Sequence, residues 1–210
     1  MSKRILVVAV VLVSVFSIWA SGAFAYSHYD GLSAQISSGF SYDIMTLKGD
    51  KTKISESSVP VNVSITYLFP SKERVGLTFG TQIRFPLKYY STQSKTSYSF
   101  DDFNFLISPY LLLTFNWENF NNRFAVTWGF GARYENAKYL YYNEKHLFSS
   151  IELDAFLQLR FALDSAERYR LCVGLRGGYS PVVFFDNAFT GFFKGSSMSI
   201  TPQIGISYEF

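Results

Sequence analysis

A chain of 210 residues with 48% hydrophobic and 19% aromatic content has the length of one domain. A formal net charge of +3 gives no electrostatic case for nucleic acid as a partner. The single Cys172 excludes an internal disulfide and leaves a small buried filler as its expected role.

The chain opens with Lys3 and Arg4, then an apolar run from Ile5 to Ala20, then Ala23-Phe24-Ala25 before Tyr26. This is the order of a secretory signal peptide: basic start, apolar centre, small-x-small cleavage pattern. The run is interrupted by Ser14 and Ser17 and is short for a helix crossing a bilayer. Residues 1–25 are therefore expected to be removed and residues 26–210 to form one domain. Loss of Lys3 and Arg4 leaves the remainder almost neutral.

From there, apolar residues recur with period two in short segments, which predicts strands and no helix. Strands are expected at about 34–45, 58–69, 75–88, 103–117, 123–135, 151–162, 169–181 and 198–210. The clearest places Val59, Val61, Val63, Ile65, Tyr67 and Phe69 on one face. The next places Leu77, Phe79, Ile83, Phe85 and Leu87 opposite Gly76, Gly80, Gln82 and Arg84. Short turns (70–74, 118–122, 163–168) alternate with longer loops (46–57, 89–102, 136–150, 182–197). Eight strands joined in this way describe an all-β, eight-stranded antiparallel up-and-down transmembrane β-barrel. Both termini then lie at the short-turn end, read as periplasmic, with the long loops extracellular.

Two patterns separate this barrel from a soluble one. Charged residues share the non-apolar face with Gly76, Gly80, Gly129, Gly131, Gly174 and Gly178, as a narrow lumen requires if long side chains are to fit. The apolar face is banded. Aromatics gather near the turn end (Tyr67, Phe69, Phe115, Trp117, Phe124, Trp128, Phe161, Tyr169) and near the loop end (Phe85, Phe103, Phe105, Tyr134, Tyr179), with aliphatics such as Leu111, Leu113, Leu157 and Leu175 between. Inward charges of both signs, Asp43, Arg84, Arg133, Glu135, Glu152, Asp154, Arg160, Arg176 and Glu209, are expected to pair across the lumen, because unpaired buried charge is costly.

The last segment, Gln203-Ile204-Gly205-Ile206-Ser207-Tyr208-Glu209-Phe210, resembles the C-terminal assembly signal of bacterial outer-membrane barrels at Gln203, Gly205, Tyr208 and Phe210. That resemblance implies insertion by the barrel-assembly machinery, contact with outer-membrane lipid, and a monomer. The whole of residues 26–210 resembles small barrels of the OmpX, OmpA-transmembrane and OmpW type. An OmpW-like protein would be a channel passing small hydrophobic molecules through an apolar loop-rimmed pocket and out sideways into the membrane. An OmpX-like protein would be a non-conducting structural or adhesion barrel meeting a host surface component through its loops.

Two features lean toward the hydrophobic solute. Loop residues Tyr141, Tyr142, Phe148, Phe184, Phe185, Phe189, Phe192 and Phe193 are apolar enough to wall a pocket or rest on the membrane rim. Pro60, Pro86, Pro109, Pro181 and Pro202, placed in the outer halves of strands, each remove a ladder donor and so could ease a lateral exit. A lipid A-modifying enzyme is the lesser alternative. His146 lies near Ser149, Ser150 and Glu152, but the deacylase pattern wants Ser where Phe148 stands. No catalytic residue, metal site or cofactor is expected; there is no Cys/His cluster and no phosphate-binding or dinucleotide motif.

Overall fold

A computed structural model describes residues 31–47, 52–69, 74–92, 96–99, 106–118, 123–141, 144–185, 192–193 and 195–210. Residues 1–30, including the expected signal peptide, lie outside the described residues.

Twelve strand segments form one sheet: β1 (Leu32–Gly39), β2 (Ser41–Leu47), β3 (Lys53–Leu68), β4 (Val75–Ser91), β5 (Thr96–Ser99), β6 (Leu106–Glu118), β7 (Phe124–Tyr141), β8 (Glu144–Ala162), β9 (Tyr169–Ser180), β10 (Val183–Phe185), β11 (Phe192–Phe193) and β12 (Gly195–Glu209). β1 and β2 together make one stave. Both pair with β3 on one side and β12 on the other, so the sheet closes. The remaining staves, β3, β4, β6, β7, β8, β9 and β12, pair antiparallel in chain order, giving an eight-stranded barrel.

The break at Phe40 has a local cause. Phe40 donates its N–H to the carbonyl of Pro202, and Pro202 has no N–H to return. The pairing of Ser38 with Val61 sets Pro60 beside Gly39 on the other flank. Two prolines on neighbouring staves thus deplete the ladder at one height. They lie near the middle of β3 and β12 rather than in the outer halves, and Pro181 lies just beyond β9. In β4, Ser57 pairs with Lys88 but Ser58 with Pro86, so Leu87 is an extra residue in a bulge beside a proline.

Several staves run past the expected boundaries. β3 begins at Lys53, and β7 and β8 continue to Tyr141 and from Glu144, so most of the expected third loop is a long hairpin. The fourth loop carries β10, which pairs with Phe148, Ser149 and Ser150 of β8, and β11, which pairs with β10.

The barrel is inside out relative to a water-soluble one. Leu153 is 70% exposed, Phe79 64% and Ile204 57%, whereas Gln82, Arg84, Arg133 and Glu152 are at most 2% exposed. Period-two alternation produces this directly: each strand turns its aliphatic and aromatic residues outward and its polar residues inward. At the turn end the outer aromatics touch in a row. Phe115 stacks on Trp128 at 4.1 Å, Trp117 meets Phe124 edge-on, Phe124 lies 5.3 Å from Phe161, and Tyr169 lies 5.0 Å from Tyr208. Phe79 and Phe130 stand among the exposed residues of the middle band as well. Phe103 and Phe105 lie outside the described residues. An outward surface of this kind is suited to lipid tails.

Candidate functional site

The lumen is filled by side chains in layers. At the turn end, Arg160 pairs with Glu209 at 2.7 Å, and Arg170 pairs with Glu209 at 2.8 Å and with Glu118 at 3.2 Å. Arg160 also donates to Ser207, whose Oγ lies 3.5 Å from the buried Sγ of Cys172. Above this, Thr66, Thr78 and Thr114 form a hydroxyl chain across three adjacent staves, with spacings of 2.7 and 2.6 Å.

The loop-side half holds three arginines and five carboxylates: Arg84 and Arg133 share a network with four of them, and Arg176 pairs with the fifth, Asp154, beside it. Arg176 from β9 is bound by both carboxylate oxygens of Asp154 through its Nε, at 2.9 and 3.1 Å, donates to Asn62, and lies over the Tyr110 ring at 3.7 Å. Arg133 from β7 meets Glu152 at 2.6 Å and Glu135 at 3.2 Å, and donates to Gln82 and Ser199. Arg84 from β4 meets Asp43 at 3.3 Å, Glu56 at 3.6 Å and, most closely, Glu135, while also donating to the backbone carbonyl of Asn136. Glu152 further accepts from Ser197 and Ser199. In so narrow a space each guanidinium is held by ligands from two or more staves, which is how a low-dielectric interior accommodates charge.

Glycine makes the room. A Cβ at Gly178 would overlap the Glu152 carboxylate and the Arg133 guanidinium, and one at Gly80 would meet the Tyr110 ring.

Nearer the loop ends lies an apolar layer. Met45, Leu47, Ile54, Phe148 and Val183 are all buried, Phe148 and Val183 completely. A small recess lined by Asp43, Met45, Arg84, Glu135, Phe148 and Glu152 marks where this layer meets the charged one.

All nine expected lumen charges face inward, but the structure divides them into two groups: Arg160 and Glu209 stand together at the turn end, and the other seven lie in the loop-side half. Glu56, Arg170 and Glu118 take part and were not among the expected residues. Among the expected ligand residues, Phe148 points into the lumen and Phe184 is half-buried on β10, its backbone opposite Ser149 and Phe192. Tyr141 ends β7, and Phe185, Phe192 and Phe193 lie in β10 and β11. Tyr142 and Phe189 lie outside the described residues. In the assembly signal, Gln203 and Gly205 lie on the lumen side of β12 and Tyr208 on the outer side, beside Tyr169. Ser149 and Ser150 point to opposite faces: Ser149 donates to Asn136, while Ser150 faces Ser197 across the lumen. Among the described residues no group of His, Cys, Asp and Glu is arranged to hold a metal ion.

No protein-family model and no curated protein matches the chain. Solved structures do. Neisserial surface protein A (NspA) aligns with a TM-score of 0.56 at 11% identity, covering 86% of this chain and 97% of that one. The outer membrane protein OprG from Pseudomonas aeruginosa aligns with a TM-score of 0.49 at 17% identity, covering 88% and 98%. The N-terminal β-barrel domain of Pseudomonas aeruginosa OprF aligns with a TM-score of 0.45 at 12% identity, covering 85% and 97%. With a closed ring of eight antiparallel staves and a lipid-suited exterior, the fold is that of a small outer-membrane β-barrel.

Proposed function

We propose that this protein is an integral barrel of the bacterial outer membrane whose lumen is closed, and that its work is done at the loop end rather than through a pore. The observation that carries this reading is the cross-lumen network of Arg84, Arg133 and Arg176 with Asp43, Glu56, Glu135, Glu152 and Asp154, lying beneath an apolar layer. Eight staves enclose a space that side chains can fill or that one small ligand can occupy. Here, among the described residues, that space holds ion pairs and buried hydrophobic groups, which stand in the way of an ion. The reading includes no catalytic step: Glu152 is engaged by Arg133 and two serines, and the two candidate serines face opposite ways. A host surface component meeting the long β7–β8 hairpin and the β10–β11 segment fits this reading.

The test is conductance of the refolded protein in planar bilayers. A silent wild type, with current steps in an Arg133→Ala/Glu152→Ala variant, supports a plugged lumen; discrete steps in the wild type overturn it.

A second reading is supported by the apolar layer itself. Met45, Leu47, Ile54, Phe148 and Val183 form a dry surface at the mouth, which a small hydrophobic molecule could enter by displacing them, as an OmpW-like channel would require. Uptake of an apolar dye into liposomes, compared between wild type and a Phe148→Ser/Phe184→Ser variant, separates the readings. Uptake that depends on those two residues favours transport.

A further inference from the structure

The described arginines fall into two sets by place. Arg84, Arg133, Arg160, Arg170 and Arg176 are buried in the lumen. The other three described arginines, Arg74, Arg123 and Arg168, are exposed, and each is the last residue of a short turn before β4, β7 or β9. The described exposed lysines, Lys53 and Lys88, are at the opposite end.

The three turn-end arginines share one construction. The carbonyl of Arg74 accepts from Asn116 N–H at 2.8 Å, that of Arg123 from Ala162 at 2.9 Å, and that of Arg168 from Glu209 at 2.8 Å. Each backbone is therefore tied to the neighbouring stave while the side chain stays outside. Among the described residues no carboxylate forms an ion pair with any of these three side chains. Arg123 is followed by Phe124 and Arg168 by Tyr169, both members of the outer aromatic row, and Arg74 is followed by Val75, which pairs with Phe115 of that row.

Three exposed arginines on tethered backbone around one rim, just beyond a belt of aromatic rings, match the depth order of a lipid leaflet: rings at the glycerol level, then a charge at the headgroup. A guanidinium suits phosphate oxygens because it can donate two parallel hydrogen bonds, which a lysine ammonium cannot. We propose that the turn end of the barrel is a binding rim for anionic glycerophospholipid, with Arg74, Arg123 and Arg168 each taking a headgroup phosphodiester. The proposal rests on the reading of this chain as a membrane barrel but not on whether its lumen is closed.

The protein carries its own probe. Trp117 and Trp128 are exposed on the lipid face of β6 and β7, at the same end as Arg123. With Trp19 replaced by Phe, the refolded full chain is inserted in vesicles containing brominated phosphatidylglycerol or brominated phosphatidylcholine, and tryptophan quenching gives the relative binding of the two lipids. The expected wild-type preference is about fivefold for phosphatidylglycerol, the effect of one cationic side chain near an anionic surface. Arg74→Gln/Arg123→Gln should remove it, Arg74→Lys/Arg123→Lys should leave it reduced, and Lys53→Gln/Lys88→Gln should leave it unchanged. Far-UV circular dichroism checks that each variant keeps its strands. Equal quenching by the two lipids in wild type, or a preference that survives Arg74→Gln/Arg123→Gln, overturns the binding rim while leaving the membrane barrel standing. If neither brominated lipid quenches, both the binding rim and the membrane barrel are overturned.

Discussion

The carboxylate of Glu152 occupies the space that any side chain at Gly178 would need. Glu152 comes from β8 and Gly178 from β9, and Asp154, two residues along, is the backbone partner of Gly178. The glycine is a recess in the lumen wall into which the charged network is fitted. Gly178→Val should therefore displace Glu152 from Arg133 and lower stability by about 1–3 kcal/mol, the usual range for overpacking a filled interior. The urea midpoint of the refolded protein in vesicles measures it, and Gly177→Val, where an added Cβ meets only one atom at ordinary contact distance, is the control.

Arg84 is the link between Asp43, Glu56 and Glu135. Arg84→Met alone leaves carboxylates without their counter-charge and should cost about 3–5 kcal/mol at neutral pH. Adding Glu135→Leu removes part of that excess and should restore some of the loss. A double-mutant cycle by urea titration reads the coupling, and strict additivity would contradict a shared network.

Pro202 withholds the donor that Phe40 lacks. Pro202→Thr should return one ladder bond, raising stability by about 0.5–1.5 kcal/mol and slowing amide exchange around Phe40. Hydrogen exchange by mass spectrometry on peptides spanning β1 and β12 checks the second effect independently of the first.

Leu157 and Gln158 are neighbours with opposite exposure, at 54% and 2%. Leu157→Arg puts charge on the outer middle band and should cost about 2–4 kcal/mol if that band lies in lipid. The same replacement tested in detergent and in vesicles should be more damaging in vesicles, where the charge has less room to reach water.

The strands, their faces and the outer banding were legible because lipid enforces period two: Leu111, Leu113, Leu157 and Leu175 have to face one way. Where the wall leaves that apolar zone the signal stops. β3 carries Lys53, Ser55 and Ser57 on one face and Glu56 and Ser58 on the other, so its first turn of ladder reads as loop, and Glu56 was lost with it. The β7–β8 hairpin was shortened for the same reason. Arg170 is a different case: it stands on the inward face of β9 with Cys172 and Arg176, but its neighbours Tyr169 and Leu171 carry the stronger periodic signal, that of the outer face. The division of the charges into two groups depends on stave tilt and pairing register, which no single strand encodes.

The stave made from β1 and β2 has β3 as one neighbour and β12 as the other, and Ser37 and Ser41 reach across the second seam to Gln203 and Thr201. The contacts of that seam join residues at opposite ends of the described chain. Until β12 is laid down, the N-terminal stave has an unclaimed edge. Closure is therefore the last and least local event in assembly, and a chain interrupted before β12 is left with two sticky margins and no way to seal them.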